Sequence, residues 1–309
     1  TLRCNLVTLS DEPDYADKTM LDYSAGEIST AEAGELIGCL KEYFDSERFT
    51  LYSGVSYRHC LVVKDGEIGH ELTPPHDITG KPIREFLPKG PLGEKYLSMM
   101  EESAKILAEH PVNKARIAAG KRPANSVWFW GEGTKPVLTK FIDKFGLKAS
   151  VVSAVDLLKG IGKYTGMNVV DVEGATGYID TNFEGKKDAA LKEFEKGADL
   201  VYLHIEAPDE CGHRFEVENK VKSIELIDSL VLGPILEGLK KYGDFRILIM
   251  PDHPTPLDIG THTSEPVPFM IYDSIEKKNG VNCFCENDCM GGEYISFGPN
   301  IMKKLIKQL

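Results

Sequence analysis

The sequence predicts an α/β fold in which a mostly parallel sheet is flanked by helices and interrupted by a smaller α+β domain. From residue 126 onward, short apolar segments alternate with segments of helical pattern. This alternation is typical of crossover connections between parallel strands. Residues 20–110 do not follow this alternation and instead show a hairpin pattern and amphipathic helices. We therefore predict a core formed by residues 1–19 and 111–309, with residues 20–110 as an inserted α+β domain.

Local signals define the elements that precede residue 126. Residues 2–9 form an apolar run that predicts a buried strand, and residues 29–44 open with a Ser/Thr cap and continue at helical spacing. Residues 49–63 are typical of a hairpin, with Ser-Gly at its turn. Residues 94–110 predict an amphipathic helix.

The second part of the chain supplies the alternation itself. The predicted strands are 126–133, 148–154, 168–173, 199–206, 245–253 and 266–273. The predicted helices are 135–146, 154–166, 187–197 and 217–243. Trp128 and Trp130 alternate along the first of these strands, and we interpret both as core aromatics. Gly160 and Gly162 interrupt a helical pattern, where glycine costs stability, so they mark a close approach or a helix end.

Composition limits the classes of function. Hydrophobic residues make up 42% of the chain and charged residues 27%, as in globular proteins of average composition. The net charge of −12 argues against nucleic acid and anionic membranes as partners. The seven cysteines favour free thiols and a cytoplasmic location. Cys283, Cys285 and Cys289 are interpreted as loop cysteines, since a second ligand pair at zinc spacing is missing.

Carboxylate and imidazole groups follow two of the predicted strands. Asp209 and His213 are four residues apart, so a helix there would place both on one face. Asp252 and His253 end a mostly apolar strand, and His262 lies in the loop beyond it. Each group alone is also consistent with a cap or a solvated side chain. Together, at the carboxyl ends of parallel strands, they predict a site for Zn, Mn or a related ion.

The order D-x-x-x-H, then D-H, then H-T-x-x-P-V-P resembles the alkaline phosphatase superfamily, and more closely the cofactor-independent phosphoglycerate mutases of the archaeal type. The likeness covers nearly the whole chain, through the segments "MLDYSAGEIST", "SGVSYRH", "GKRPANSVWFWGEG", "SAVDLLKGIGKYTGM" and "EGATGYIDTNFEGK". It implies an alkaline-phosphatase-like fold and a glycolytic isomerase that needs no 2,3-bisphosphoglycerate. Such an enzyme interconverts 3-phosphoglycerate and 2-phosphoglycerate through a metal-activated phosphoserine.

The resemblance also implies two divalent metal ions, Mn or Zn, with Mg or Co as alternatives. Asp209, His213 and His262 would hold one ion, and Asp252 and His253 would contribute to the second. Members of the family complete the second site with an Asp in an Asp-Gly turn of the first strand and with the nucleophilic Ser. Neither motif is in this sequence. We therefore expect a chain that lacks the nucleophile and holds at most about one ion tightly.

A small phosphorylated metabolite is the partner that this resemblance implies, and its oxyanions need cations. Arg58 of the inserted domain is the first candidate, because arginine binds oxyanions in a bidentate way. His59, beside it, is open between a site group and a packed strand residue. Arg122 and Lys159 are candidates from the core. We expect the inserted domain to clamp the substrate, and a homo-oligomer is left open.

Two alternatives to the mutase remain at this stage. A bacterial branch of the same family carries the label of a proposed homoserine kinase, and the segment "EAPDECGHRFEVENKVKSIELID" is closest to that branch. The chain has no GxxxxGK[ST] pattern, but phosphate bound through metals would not require one. The other alternative is an inactive remnant that keeps the fold without the nucleophile.

Overall fold

The fold is described from a computed structural model, which describes residues 1–276 and 278–307. The chain divides into two compact units, Thr1–Pro136 and Val137–Leu309. This division differs from the predicted boundaries at 19 and 110. Residues 1–19 and 111–136, which flank the predicted inserted domain, belong to the first unit together with it. Residues 277, 308 and 309 of the predicted core lie outside the described residues. The clamping role of the inserted domain stays a prediction.

The first unit is built on an antiparallel sheet. Its strands are β1 Leu2–Leu9, β2 Met20–Asp22, β3 Phe49–Tyr52, β4 Arg58–Val63 and β5 Ser126–Trp130. Strand β1 pairs with β2, β4 and β5, and the predicted hairpin β3–β4 completes the sheet. The first strand and the strand from residue 126 were predicted as members of the parallel core, which is wrong. In the structure, β1 pairs in the antiparallel direction with both the hairpin strand β4 and with β5, so these strands are not joined by crossover connections.

Two helices pack on this sheet, and a third packs against both of them. They are α1 Thr30–Phe44, α2 Gly93–Ala108 and α3 Pro111–Ala118. Helix α1 begins as predicted, with a capping box in which Ser29 and Glu32 each bond the other's backbone N–H. Its residues Leu36, Ile37 and Leu40 are fully buried, as the helical spacing of apolar residues requires. Helix α3 was not predicted, because it has only eight residues.

The second unit contains the predicted parallel sheet flanked by helices. Its strands are β6 Ala149–Val152, β7 Asn168–Val170 and β8 Leu200–Leu203, in the order β7-β6-β8. Strands β9 Arg246–Ile249 and β10 Met270–Asp273 form a separate antiparallel pair. The helices are α4 Phe141–Phe145, α5 Asp156–Tyr164, α6 Phe183–Glu195, α7 Ala207–His213, α8 Val217–Leu226, α9 Gly233–Leu239, α10 Glu286–Cys289 and α11 Asn300–Leu305.

Two predicted helices of this unit differ in the structure. The predicted helix over 135–146 is reduced to the five residues of α4. The long helix predicted over 217–243 is interrupted by a π-helical segment, Ile227–Leu232, where the Gly233 N–H donates to the Asp228 carbonyl. Pro234 follows directly and has no N–H to donate, which explains a local change of hydrogen-bond pattern.

Helix α5 lies close against the parallel sheet because Gly162 has no side chain. A Cβ atom at this position would lie 2.6 Å from Cγ1 of Val151 on β6. The glycine in the helical pattern thus marks a close approach. Along the described part of the chain, every helix is too short or too polar to cross a membrane. All seven cysteines are free thiols.

Candidate metal centre

The centre begins at the carboxyl end of β8. Helix α7 starts at Ala207, after three intervening residues, and Pro208 lies in its first turn, where a missing N–H costs nothing. Asp209 and His213 are one helical turn apart and face the same way. The Nε2 atom of His213 lies 3.3 Å from Oδ2 of Asp209. The predicted helical spacing of this pair is therefore observed.

His262 joins this pair from the loop before β10. Its Nε2 atom lies 3.0 Å from Nε2 of His213 and 3.4 Å from Oδ1 of Asp209. One ligand atom from each of the three residues lies within 4.8 Å of the other two. The predicted convergence is thus present, and the three side chains could hold a metal ion with one carboxylate and two imidazole ligands.

The backbone of Gly260 fixes the orientation of His213. The Nδ1 atom of His213 lies 2.9 Å from the Gly260 carbonyl oxygen, which can only accept, so Nδ1 carries the proton. The Nε2 atom then presents its lone pair toward Asp209 and His262. A backbone carbonyl on the far nitrogen is a common arrangement for a histidine that ligates metal. Gly260 has φ +70°, a conformation that favours glycine.

A second loop contact holds the carboxylate. The Thr255 hydroxyl donates to Oδ1 of Asp209, and the Lys220 amine donates to the Thr255 carbonyl oxygen at 2.7 Å. This loop lies tightly against α7, because a Cβ atom on Gly212 would be 2.6 Å from that same carbonyl oxygen. Glycine at position 212 therefore permits the approach that brings Thr255 to Asp209.

Asp252 and His253, the second pair of predicted ligands, lie beside the group formed by Asp209, His213 and His262. The ring centroids of His253 and His262 are 3.8 Å apart. The Nε2 atom of His253 lies 3.4 Å from Oδ2 of Asp252. The two groups of predicted ligands are thus neighbours, as expected. They do not, however, follow adjacent strands of one parallel sheet, because β9 pairs with β10 and β8 pairs with β6 in the described residues.

His204 and Ser153 belong to the same region and were missed from the sequence. They follow the paired ends of β8 and β6, and Oγ of Ser153 lies 3.2 Å from Nδ1 of His204. Burial lowers the pKa of His204, while the nearby charges of Asp252 and Asp209 raise it. His204 is therefore held mainly as a neutral imidazole near the predicted ligands. Its position at a strand end, in "YLHIE", was the available signal.

Lys186 is a second residue that sequence reasoning missed. Its side chain on α6 is fully buried, and its amine is 3.5 Å from the Thr176 carbonyl oxygen. Burial lowers its pKa to about 8, although the charge of Glu206 opposes this shift. The Lys186 charge also acts on His204. A buried lysine of this kind is uncommon, but the sequence around it reads as an ordinary amphipathic helix.

The predicted substrate-binding residues have different surroundings. His59 is buried, Nδ1 accepts from the Gly54 N–H at 3.1 Å, and burial lowers its pKa to about 4, so it is a neutral packed residue. Arg122 is paired with Asp22 at 3.2 Å, and Lys159 with Asp171 at 2.7 Å. Their guanidinium and ammonium groups already have carboxylate partners. Arg58 is exposed and stacks on Tyr57, with 4.4 Å from its Cζ atom to the ring centroid.

Comparison with known proteins agrees with this fold. A profile of the Metalloenzyme superfamily matches residues 30–307. A probable 2,3-bisphosphoglycerate-independent phosphoglycerate mutase of Geobacter sulfurreducens is 50% identical, over 98% of this chain and 76% of that protein. A mutase of the same name from Methanosarcina barkeri is 49% identical, over 87% of this chain and 67% of that protein.

A solved structure shares the fold as well. The cofactor-independent phosphoglycerate mutase of Thermoplasma acidophilum superposes with a TM-score of 0.60 at 25% identity, covering 99% of this chain and 76% of that one. Fold and site together define a metalloenzyme with the alkaline-phosphatase-like α/β architecture. Within that class, the chain belongs to the family of 2,3-bisphosphoglycerate-independent phosphoglycerate mutases. The family implies divalent metal ions, and the donor set at Asp209, His213 and His262 fits them.

Proposed function

We propose that this chain serves the interconversion of 3-phosphoglycerate and 2-phosphoglycerate, without 2,3-bisphosphoglycerate as a cofactor. The observation that carries the proposal is the convergence of Asp209, His213 and His262, with the free Nε2 lone pair of His213 directed at the other two. The relatives compared above carry the mutase name, and that name supports the isomerase over the homoserine kinase.

Asp209, His213 and His262 would hold one divalent ion, and Asp252 and His253 would contribute to a second. We propose Mn or Zn, because imidazole with carboxylate suits both. A bound divalent ion supplies positive charge and Lewis acidity beside a transferring phosphoryl group. The residues of the chain have their own tasks.

The loops of the second unit orient the ligands. The Gly260 carbonyl keeps the proton of His213 on Nδ1, and the Thr255 hydroxyl holds one oxygen of Asp209. Such partners fix ligand rings and carboxylates before an ion arrives, which reduces the entropy lost on binding. His204 stays mainly neutral through burial and therefore adds no positive charge that would repel an ion.

The test is an activity assay of the gene product that contains this chain. We expect 3-phosphoglycerate to be converted to 2-phosphoglycerate, detected by coupling to enolase, with activity lost to a chelator and restored by Mn²⁺ or Zn²⁺. Asp209→Asn should abolish this activity, whereas Asp228→Asn, an exposed carboxylate on the same unit, should not. Phosphorylation of homoserine by ATP, with no mutase activity, would contradict the proposal.

A further inference from the structure

Two arginines lie on one face of the sheet in the first unit. In the antiparallel register, Arg3 is opposite Cys60, and Asn5 is opposite Arg58. Residues directly opposite each other share a face, so Arg3 and Arg58 point the same way and are diagonal neighbours. Diagonal positions are about 7–8 Å apart, within reach of long side chains. Both side chains are exposed.

Neither arginine has a carboxylate partner within residues 1–276 and 278–307. Two other arginines of the same unit do have one: Arg116 pairs with Glu32 at 2.8 Å and Arg84 with Asp17 at 2.5 Å. Carboxylates are plentiful in a chain of net charge −12, yet neither arginine is paired with one in the described residues. Like charges this close repel each other, and a bound anion would relieve that repulsion.

Aromatic side chains hold the two guanidinium groups in place. The Cζ atom of Arg3 lies 4.7 Å from the ring centroid of Trp130, opposite it on β5, and Arg58 stacks on Tyr57. Tyr57 and Trp130 are also linked to each other by two further rings, through edge-to-face contacts. The centroid distances are 5.8 Å from Tyr57 to Tyr23, 6.0 Å from Tyr23 to His76 and 5.3 Å from His76 to Trp130. We call these four rings the aromatic arc.

Trp130 was predicted as a core residue, but only its neighbour Trp128 is one. Trp130 is half-buried, and its indole N–H donates to Oδ1 of the buried Asn5 at 2.9 Å. The amide of Asn5 in turn donates to the Tyr23 carbonyl oxygen at 3.0 Å. The buried amide of Asn5 thus holds two members of the aromatic arc, since its oxygen bonds the Trp130 ring and its nitrogen bonds the Tyr23 backbone. A rigid aromatic support reduces the freedom that each arginine loses on binding a ligand.

We propose that Arg3 and Arg58 form one oxyanion-binding site, which takes the carboxylate or the phosphate of a small phosphorylated hydroxy acid. This rests on the proposed function, because phosphoglycerate carries both groups. Guanidinium groups bind either oxyanion through paired N–H donors, and two of them stabilise the charge better than one. Arg58 was a candidate from the sequence, whereas Arg3 is identified by the register of β1 with β4.

Anion binding by this chain tests the site directly. Inorganic phosphate and glycerate are titrated separately at low salt after chelation of metals, with tryptophan fluorescence as the signal because Arg3 lies over Trp130. We expect Arg3→Gln and Arg58→Gln each to weaken binding of the same anion by about tenfold or more. The double variant should lose less than the product of the two, since both arginines contact one ligand.

Arg48→Gln is the matched control. Arg48 is also an exposed arginine of the first unit that stacks on a ring, that of Phe49, but it lies at the far end of the β3–β4 hairpin. This variant removes the same charge and should change the affinity by less than twofold. Equal losses in all three variants would show a general charge effect and overturn the site, as would wild-type affinity in either Arg3→Gln or Arg58→Gln.

The two titrations also identify the group that binds. A loss confined to phosphate assigns the site to the phosphoryl group, and a loss confined to glycerate assigns it to the carboxylate. Lack of binding of both anions to the unaltered chain overturns the proposal. Because metals are removed, this result does not depend on mutase activity. Absent turnover with intact anion binding would instead contradict the proposed function alone.

Discussion

The Nε2 atoms of His213 and His262 lie 3.0 Å apart, although 49 positions separate the two residues in the chain. The proton of His213 is on Nδ1, which donates a hydrogen bond to the Gly260 carbonyl oxygen, so the Nε2 atom offers a lone pair. Two facing ring nitrogens need a proton or a cation between them. With a carboxylate oxygen of Asp209 3.4 Å from His262, a divalent cation would satisfy all three groups at once.

Removing the carboxylate from this group should abolish tight metal binding. Substituting a residue that only supports a ligand typically costs 10–100-fold in metal affinity, and a ligand itself should cost more. We therefore expect Asp209→Asn to weaken Mn²⁺ or Zn²⁺ binding by more than about 100-fold. Isothermal titration calorimetry measures this. Asp228→Asn removes a carboxylate from the exposed side of the π-helical segment and should leave the affinity unchanged.

The hydrogen bond from Thr255 leads to a separate prediction, in which the loss of metal affinity is smaller. Its hydroxyl donates to Oδ1 of Asp209, and valine keeps the shape while removing the donor. Thr255→Val should lower metal affinity by about 10–100-fold. Thr165→Val is the control, because the Thr165 hydroxyl donates only to carbonyls of α5, the nearest at 2.8 Å. Equal metal affinities in the two variants would show that Thr255 does not hold the carboxylate.

The sequence was most informative where a signal is local. Ser29 and the helical spacing after it predicted α1, and the i and i+4 spacing predicted that Asp209 and His213 share a helical face. The convergence with His262 was predicted from the expectation that loops at the carboxyl ends of strands meet. The order of the motifs along the chain indicated the protein family, which composition and residue spacing alone could not have indicated.

Non-local pairing was the part that the sequence could not supply. An apolar strand such as β1 looks the same whether its neighbours are parallel or antiparallel, so its place in the sheet depends on distant residues. The partnership of Arg3 with Arg58 has the same origin, since only the register reveals it. Burial of Lys186 depends on what packs over α6, and no short segment encodes that.

Lys186 makes stability depend on pH in a defined window. Burial lowers its pKa to about 8 from the ordinary 10.5. Between these values the unfolded chain keeps a proton that the folded chain has released, so the free energy of unfolding rises with pH. Below pH 8 both states are protonated, and the contribution is constant. The rise should amount to at most about 3 kcal/mol.

Urea unfolding between pH 8 and 10.5 measures that rise. Lys186→Met should flatten it, because the methionine side chain does not titrate. The neighbouring Lys187 pairs with Asp188 at 2.6 Å and serves as the control, so Lys187→Met should keep the slope of the unaltered chain. The same slope in all three proteins would show that Lys186 has access to water in the folded state.

The close approach at Gly212 connects packing to the metal centre. A Cβ atom there would lie 2.6 Å from the Thr255 carbonyl oxygen and 2.8 Å from the Lys220 amine. The lysine can move, but the carbonyl belongs to the backbone of the loop that holds Asp209. We therefore expect Gly212→Ala to displace this loop, destabilise the protein by about 1–3 kcal/mol and weaken metal binding.

Gly160→Ala separates this effect from the general consequence of replacing a helical glycine. Gly160 lies in α5, and nothing is within 4 Å of a Cβ atom at that position. Alanine should therefore stabilise the protein by about 0.5–1 kcal/mol through its helix propensity and leave metal affinity unchanged. Thermal unfolding and calorimetric titration of both variants check the pair. If Gly212→Ala kept full metal affinity, the position of Thr255 against α7 would not matter for the carboxylate, and the support assigned to that loop would be wrong.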